Sequence, residues 1–437
     1  MKRFAIAMLS ASLALPALAE EIPNWREETL TGDWNGARTA LYERGLHFDG
    51  DYKADFVRNA SGGLATGNRF MGLLELKLKI DGEPLAGWSG TTAYVHVISN
   101  LGGQANTALV GSFMGVDNIE VLANSVKFLH AWVEKTFWDD KASALFGVYP
   151  IDSEFYITDT SGVFLHPSFG MGAEVASSGS HGPAVFPNGA LGVRLKLRPE
   201  PRFYAQFAVT DGVPGDPNNP RGTHLRMGSD DGFMTVAEFG YLPFEAGHLD
   251  EPNLPEKGLP LPPEEKAHER AELTGKVALG IWFFAPRLDD LFDVDPESGT
   301  PQRHYAHGAY LLAERSLYVE PGQSSQGLAG FARYGFTDAK VSPLAYSWSL
   351  GLTYTGLLPG RDDDVLGFAA TLARASEQFR EANAPLETTE TAFELTYRAK
   401  LVPWLTLQPT LQRIVNPGFD PALGDAWVGL LRAEITF

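Results

Sequence analysis

The 437-residue chain contains no cysteine, which excludes disulfide scaffolds, thiolate metal sites and cysteine nucleophiles. It is also poor in positive charge: 35 lysines and arginines stand against 54 aspartates and glutamates, for a net charge of −19. Nucleic acids are bound through an excess of cations that displaces counterions from the phosphates. We therefore expect no nucleic-acid partner.

After the N-terminus, no apolar run approaches the roughly 20 residues that a membrane-spanning helix needs. What the chain does contain is 46 glycines, 29 prolines and 11% aromatic residues, in a composition that is 44% hydrophobic. Frequent turns between half-buried extended segments have this composition, and long-helix proteins do not. The composition therefore predicts an all-β fold.

The N-terminus has the three parts of a secretory signal. Lys2 and Arg3 form a positive region, residues 4–15 are apolar, and Ala17-Leu18-Ala19 has small residues where a signal peptidase cuts. A transmembrane anchor is the alternative, but the apolar stretch is short and Pro16 interrupts it. We therefore expect residues 1–19 to be a signal peptide that takes the chain across the inner membrane.

From residue 46 onward, apolar and charged residues alternate with period two. In the second such run Leu74 and Leu76 share one face, and Glu75 and Lys77 share the other. A tilted membrane-spanning strand requires about 9 to 11 residues, close to the length of these runs. A soluble sandwich would also alternate, but it rarely needs so many strands in one domain. Sixteen runs predict a transmembrane antiparallel β-barrel, and they lie at 46–57, 69–80, 91–98, 126–136, 142–149, 190–198, 203–210, 233–241, 275–284, 309–319, 328–336, 346–356, 365–373, 390–401, 405–414 and 427–437.

The connections between these runs predict a barrel that begins and ends on the periplasmic side. Outer-membrane barrels have short periplasmic turns and long external loops. Short turns are expected at 137–141, 199–202 and 402–404, and external loops at 99–125, 150–189, 211–232, 285–308, 374–389 and 415–426. The long, charged and proline-rich connection 242–274 breaks the rule. It is either a solvated linker or the place of a further strand pair, which would make eighteen strands.

Three segments are therefore expected along the chain: the signal peptide 1–19, an N-terminal periplasmic segment 20–45 and the barrel 46–437. Within the second segment, Asp33 to Glu43 reads as a short helix. Thr31 or Asp33 is available as its N-terminal cap, and Gly45 as its terminator. This helix would lie against the periplasmic mouth of the barrel.

Three stretches of the sequence resemble the carbohydrate-selective outer-membrane porins of the OprB family: LTGDWNGARTALYERGLHFDGDY (30–52), FGVYPIDSEFYITDTSGVFLHPSFGMG (146–172) and ETAFELTYRAKLVPWLTLQPTLQRIVNPG (390–418). The resemblance implies a sixteen-stranded, water-filled barrel in the bacterial outer membrane that passes glucose and similar sugars passively. It implies a constriction lined by charged and aromatic side chains, with no cofactor, metal or catalytic residue. The expected partners are sugars, outer-membrane lipid and lipopolysaccharide, and further copies of the chain in a homotrimer.

The candidate lining residues are polar or aromatic side chains on the inward face near the middle of the predicted strands. They are Glu75, Lys77, His130, Trp132, Glu134, Arg194, Lys196, Glu238 and Arg333. Ionic groups exchange hydrogen bonds with sugar hydroxyls, and aromatic faces cover the C–H patches of a pyranose. For each residue the alternative is a lumen charge that balances a neighbour. The 150–189 loop combines aromatics with acids, so we expect it to fold inward and narrow the pore; a surface cap is the alternative.

Two other functions are alternatives to a sugar-selective channel. One is a general diffusion porin for small polar solutes, which would share the barrel but not the selectivity. The other is an outer-membrane hydrolase. The GSHG sequence at 179–182 is its nearest signature, but Ser178 stands where the first glycine of a nucleophile elbow is required. We therefore expect no enzymatic activity.

Overall fold

Sixteen antiparallel strands form a closed barrel in which each strand pairs with its sequence neighbours and β1 pairs with β16. The computed structural model describes residues 23–243, 275–321 and 325–437. The strands are β1 Leu46–Ser61, β2 Gly67–Asp81, β3 Thr91–Gly102, β4 Val126–Phe137, β5 Ala142–Tyr149, β6 Ala190–Glu200, β7 Phe203–Asp211, β8 Phe233–Tyr241, β9 Gly275–Val294, β10 Pro301–Val319, β11 Gly327–Thr337, β12 Leu344–Thr355, β13 Val365–Ala375, β14 Thr389–Val402, β15 Leu405–Val415 and β16 Ala426–Thr436.

The described residues also form five short α-helices: α1 Trp25–Glu28, α2 Ala37–Tyr42, α3 Gly82–Ala86, α4 Ala173–Ala176 and α5 Glu377–Ala382. Single helical turns occupy Trp34–Gly36, Asn106–Val110, Ile151–Ser153, Thr160–Val163, Pro167–Phe169 and Pro417–Phe419. Within the described part of the chain, none of the helices has the length and apolar character needed to cross a membrane.

The alternation of apolar and charged residues predicted from the sequence is found in the barrel wall, with the apolar residues on the outer surface and the charged residues inside. On β2, Leu76 is 51% exposed on the outer surface, whereas Glu75 and Lys77 are 7% and 6% exposed inside. The same pattern holds on β6, where Val193 and Leu195 are exposed and Arg194 is buried. All sixteen predicted strands are confirmed; the differences at their ends are small except for β9 and β10, which extend much further on one side.

The prediction of a loop at 285–308 is wrong for most of these residues. Strand β9 continues to Val294 and β10 begins at Pro301, so only residues 295–300 form the connection. The extended hairpin is held by backbone pairing and by an ion pair between Arg303 and Asp289 at 3.2 Å. Charged residues of this segment, such as Asp289 and Arg303, therefore lie on strands that continue past the neighbouring β8.

Two predicted segments lie outside the described residues. The signal peptide 1–19 is one of them, and residues 244–274 of the long connection are the other. Strand β8 nevertheless pairs directly with β9, from Tyr241 opposite Val277 to Phe233 opposite Ala285. The ring therefore closes with sixteen strands, and the eighteen-strand alternative is wrong.

The predicted N-terminal helix is present as α2, preceded by the turn Trp34–Gly36. The Asp33 carboxylate accepts a hydrogen bond from the Thr39 N–H at 2.9 Å, which satisfies one free donor of the first helical turn. Gly45 has a φ of +81°, a conformation that favours glycine where the chain turns from the helix into β1.

Arg38 of α2 joins the two ends of the chain. Its guanidinium is sandwiched between the rings of Trp25 and Trp34, at 5.0 and 5.1 Å from their centroids. It donates hydrogen bonds to the main-chain oxygens of Phe437 at 2.9 Å and Phe48 at 2.5 Å. Arg38 is a buried cation that hydrogen-bonds both to β1 and to the last residue. It therefore connects the N-terminal segment to the place where β1 pairs with β16 and closes the barrel.

We expect Arg38→Ala to lower the free energy of unfolding by about 3 kcal/mol, because buried carbonyl groups lose a charged donor. Arg38→Lys should recover only part of this loss, since one ammonium cannot reproduce the planar fork of donors. The temperature at which the folded barrel loses its compact migration on SDS gels measures the effect. Equal transition temperatures for the parent and Arg38→Ala would contradict this role.

Candidate functional site

The 150–189 loop folds into the barrel, as predicted. Its aromatic residues Phe155, Tyr156, Phe164 and Phe169 are each at most 2% exposed. Tyr156 packs against Tyr310 of β10 with ring centroids 4.6 Å apart. The loop is therefore part of the lumen and not a surface cap.

Carboxylates of the barrel wall hold the main chain of this loop. Three glutamates accept hydrogen bonds from its N–H groups: Glu238 from Tyr156 (3.0 Å), Glu314 from Thr160 (2.9 Å), and Glu394 from Leu165 (2.7 Å) and His166 (2.8 Å). Buried N–H groups need acceptors, and an ionised carboxylate is a strong one. Acids on three different strands therefore fix the position of the loop.

Donors on other strands bind the carbonyl groups of the same loop. These bonds are Gln206 to Glu154 (2.6 Å), Lys276 to Ile157 (2.9 Å), Arg333 to Phe169 (2.9 Å) and Gln408 to Val163 (2.6 Å). Together with the glutamates, they attach the loop to strands between β7 and β15. The open space beside the loop lies mainly against β1 to β4 and β16.

The loop between β3 and β4, residues 103–125, also folds inward, and this was not predicted. The Glu390 carboxylate of β14 accepts hydrogen bonds from the Phe113 N–H at 2.8 Å and the Met114 N–H at 2.9 Å. The two inward loops meet where the Asn118 N–H donates to the Leu165 carbonyl oxygen at 2.9 Å. The apolar content of the loop was the signal that could have revealed this, because an exposed loop seldom carries so many apolar residues. Those buried here are Ala105, Leu109, Val110, Met114, Val116 and Ile119.

A cavity of about 860 Å³ remains between the two loops and the wall. Its lining comes from the inward faces of β1 to β4 and β13 to β16, and from both inward loops. The charged and aromatic residues that line it are Lys53, Glu75, Lys77, Tyr94, His96, His130, Trp132, Asp152, Glu154, Asp159, Arg398, Arg432 and Glu434.

The wall cations of this cavity are paired with carboxylates. Lys53 contacts Glu75, and three further pairs have distances of 3.0 Å for Lys77–Asp51, 3.6 Å for Arg398–Glu434 and 2.6 Å for Arg432–Asp55. Burial raises the pKa of Glu154 on the loop, and the neighbouring Arg194 opposes that rise. The lumen is therefore highly polar without a large excess of either sign, although the whole chain carries −19.

An aromatic surface lies beside these ion pairs. The rings of Tyr94 and Trp132 have centroids 5.3 Å apart, and His96 and His130 stack at 5.4 Å with planes 10° apart. The Trp132 indole N–H donates to His130 Nδ1 at 3.3 Å, which fixes the ring. A solute in the cavity thus meets ring faces and charged hydrogen-bonding groups at the same place.

The structure divides the nine predicted lining residues into two groups. Glu75, Lys77, His130 and Trp132 line the cavity. The other five do not line it. Glu238 and Arg333 bind the loop backbone, Arg194 joins Glu134 (2.8 Å) to Glu154 (3.0 Å), and Lys196 lies over the Tyr204 ring of β7 at 5.6 Å. Lining residues that were not predicted include Lys53, Tyr94, His96 and Glu434, which alternation alone places on inward faces.

Comparisons with known proteins agree with this geometry. The family model described as "Carbohydrate-selective porin, OprB family" matches residues 66–437. Porin B of Pseudomonas aeruginosa is 23% identical, over 99% of this chain and 96% of that protein. The high-pH structure of Pseudomonas putida OprB superposes with a TM-score of 0.79 at 20% identity, covering 95% of this chain and all of that one. The low-pH structure of the same protein gives 0.59 at 16% identity, covering 94% and 99%.

Proposed function

The chain belongs to the OprB family of carbohydrate-selective porins, and we propose that it admits glucose and similar neutral sugars through the cavity beside β1 to β4. As a member of this family it is a carbohydrate porin of the bacterial outer membrane, and it is a channel rather than an enzyme. One observation carries the choice of solute: the Tyr94–Trp132 surface adjoins the paired charges of Glu75 and Lys77.

The chemistry of a pyranose matches this arrangement. Its hydroxyl groups exchange hydrogen bonds with carboxylates, ammonium groups and guanidinium groups, and its C–H face packs on aromatic rings. Because the wall cations already have carboxylate partners, the cavity exerts little net attraction on an ion of either sign. Several modest contacts also allow the sugar to leave, as transport requires.

We propose distinct roles for the two groups of predicted residues. Glu75, Lys77, His130 and Trp132 contact the sugar. Glu134, Arg194, Lys196, Glu238 and Arg333 set the shape of the path through the loop that they support. This division rests on which side chains line the cavity and which bond to the loop.

We expect Trp132→Ala to raise the glucose concentration that half-blocks the ion current in planar bilayers. Losing one aromatic face removes about 0.5 to 1.5 kcal/mol of contact, which corresponds to roughly a two- to tenfold change. Trp348→Ala is the matched control, because this tryptophan lies on the outer face of β12 beside the exposed Leu350. A parent channel whose current glucose leaves unchanged would favour the general diffusion porin. Equal block in the parent and Trp132→Ala would contradict the assigned role of the ring.

Export and assembly complete the proposal. We propose that residues 1–19 are removed as a secretory signal, so that the mature chain begins at Glu20 with a periplasmic segment 20–45 before the barrel. We also propose a homotrimer. It is supported by a shallow apolar depression on the outer surface, where Ala144, Ala205 and Ala237 lie between larger residues such as Phe207 and Phe239. The N-terminal sequence of the mature protein and its mass in detergent test these two statements.

A further inference from the structure

Three arginines on the outer surface of the barrel lie directly opposite aromatic residues of the neighbouring strand. Arg287 of β9 is paired with Tyr305, Arg374 of β13 with Tyr346, and Arg413 of β15 with Trp427. The guanidinium carbons are 5.0, 6.0 and 5.7 Å from the respective ring centroids. The three Arg–aromatic pairs therefore repeat one structural unit.

All three pairs face lipid and lie at the external end of the barrel. Each arginine shares its strand face with exposed apolar residues: Ile281 (57%) on β9, Phe368 (51%) on β13 and Leu411 (45%) on β15. Arg374 and Arg413 are within two residues of the ends of their strands, and the loops 376–388 and 416–425 follow. Strand β8 begins at Phe233, which pairs with Ala285 of β9. Arg287 lies two residues further along β9, towards the external side.

The charges of this surface are only partly compensated within the chain. Arg413 pairs with Asp425 at 2.8 Å, and both side chains are partly exposed. Among the residues that the structure describes, no carboxylate lies within ion-pair distance of Arg287 or Arg374. A cation on a lipid-facing surface is costly unless an anion or water is at hand. An anionic lipid headgroup would therefore compensate the charges of these arginines.

The spacing of the pairs suits several separate ligands. They lie on β9/β10, β12/β13 and β15/β16, so that successive pairs are three strands apart. With neighbouring strands about 4.8 Å apart, this separation is roughly 15 Å along the rim. Each pair is thus a separate site on one arc of the barrel.

We propose that each Arg–aromatic pair binds a phosphate group of the phosphorylated glycolipid, lipopolysaccharide, in the outer leaflet. A guanidinium presents two parallel N–H donors to phosphate oxygens, and the ring beneath holds its plane and lies at the interface itself. The position of all three pairs at the external end selects the outer-leaflet glycolipid over anionic phospholipid. The site depends on the outer-membrane location and not on the sugar path.

The test compares the triple variant Arg287→Gln/Arg374→Gln/Arg413→Gln with the parent in detergent. Arg315→Gln is the matched control, because Arg315 is exposed on the outer face of β10 towards its periplasmic end. Native mass spectrometry measures binding of three probes: purified lipid A, dephosphorylated lipid A and phosphatidylglycerol. We expect the triple variant to bind lipid A at least about tenfold more weakly, since each site loses a charged hydrogen-bond donor. The control should bind like the parent, and the dephosphorylated probe should bind the parent poorly.

Two results would overturn the proposal: lipid A binding by the triple variant that equals that of the parent, or equal loss of phosphatidylglycerol and lipid A. The second result would assign the pairs to anionic lipid in general. If the triple variant does not fold, the single variants Arg374→Gln and Arg287→Gln are compared by the same criteria. Glucose block should be unchanged in all of them, so failure of the lipid site and failure of the sugar function are distinguishable.

Discussion

Glu394→Ala should open the channel and weaken its preference for sugars. The Glu394 carboxylate accepts hydrogen bonds from the N–H groups of Leu165 and His166 and from the side-chain amide of Gln412. The same Gln412 amide also donates to the Val116 carbonyl oxygen of the second inward loop. Glu394 therefore holds the 150–189 loop directly and the 103–125 loop through Gln412. Leaving two buried N–H groups without an acceptor costs about 1 to 3 kcal/mol each.

A loss of about 3 kcal/mol would raise the population of displaced loops roughly a hundredfold. Single-channel recording should show larger and noisier conductance, together with weaker glucose block, while the barrel stays folded on SDS gels. Glu297→Ala in the exposed turn between β9 and β10 removes the same charge and should leave all three readouts unchanged. An unaltered channel in Glu394→Ala would show that the loops are held elsewhere.

Leu76→Asp should impair assembly far more than a similar change on the other face of the same strand. Leu76 is 51% exposed on the outer surface, so the new carboxylate would face hydrocarbon. Charged substitutions on the lipid face of a barrel cost up to about 2 to 4 kcal/mol near the midplane, with Asp costing less than Arg or Lys.

Lys79→Asp is the comparison, because Lys79 lies on the lumen face of β2 and its replacement stays in water. Leu76→Asn separates charge from polarity and should be intermediate. The yield of folded barrel after refolding into lipid vesicles measures the difference. Equal yields for Leu76→Asp and Lys79→Asp would refute the assignment of the faces.

Much of this fold was predictable from the sequence because a barrel wall has one face towards water and one towards lipid, so that polar and apolar residues must alternate along each strand. Strand β8 is predicted to the residue, and β5 likewise, since a period-two pattern is decided by nearest neighbours along the chain. The hairpin of β9 and β10 was partly missed because its tip, beyond Arg287 and Tyr305, extends past the neighbouring strands. There, charged residues such as Asp289 and Arg303 can face either side without penalty, and the pattern is lost.

The site was less predictable because the roles of inward residues depend on where the loops run. Alternation places Glu75 and Glu238 on equivalent inward faces, yet one lines the cavity and the other binds the Tyr156 N–H of the loop. The contact between Glu238 and Tyr156 spans 82 positions of the sequence, and no local pattern encodes it. The apolar content of the 103–125 loop was a signal of its inward path, but its wall partner Glu390 lies 277 positions from Phe113 and could not be identified locally.

The most direct test of the account is the swelling of liposomes that contain the purified protein, in a panel of neutral sugars, amino acids and salts of similar size. The cavity pairs its wall charges and adds the aromatic surface of Tyr94 and Trp132. We therefore expect glucose and similar sugars to enter faster than charged solutes of equal size. Rates that follow solute size alone, without regard to chemistry, would contradict the proposed sugar selectivity.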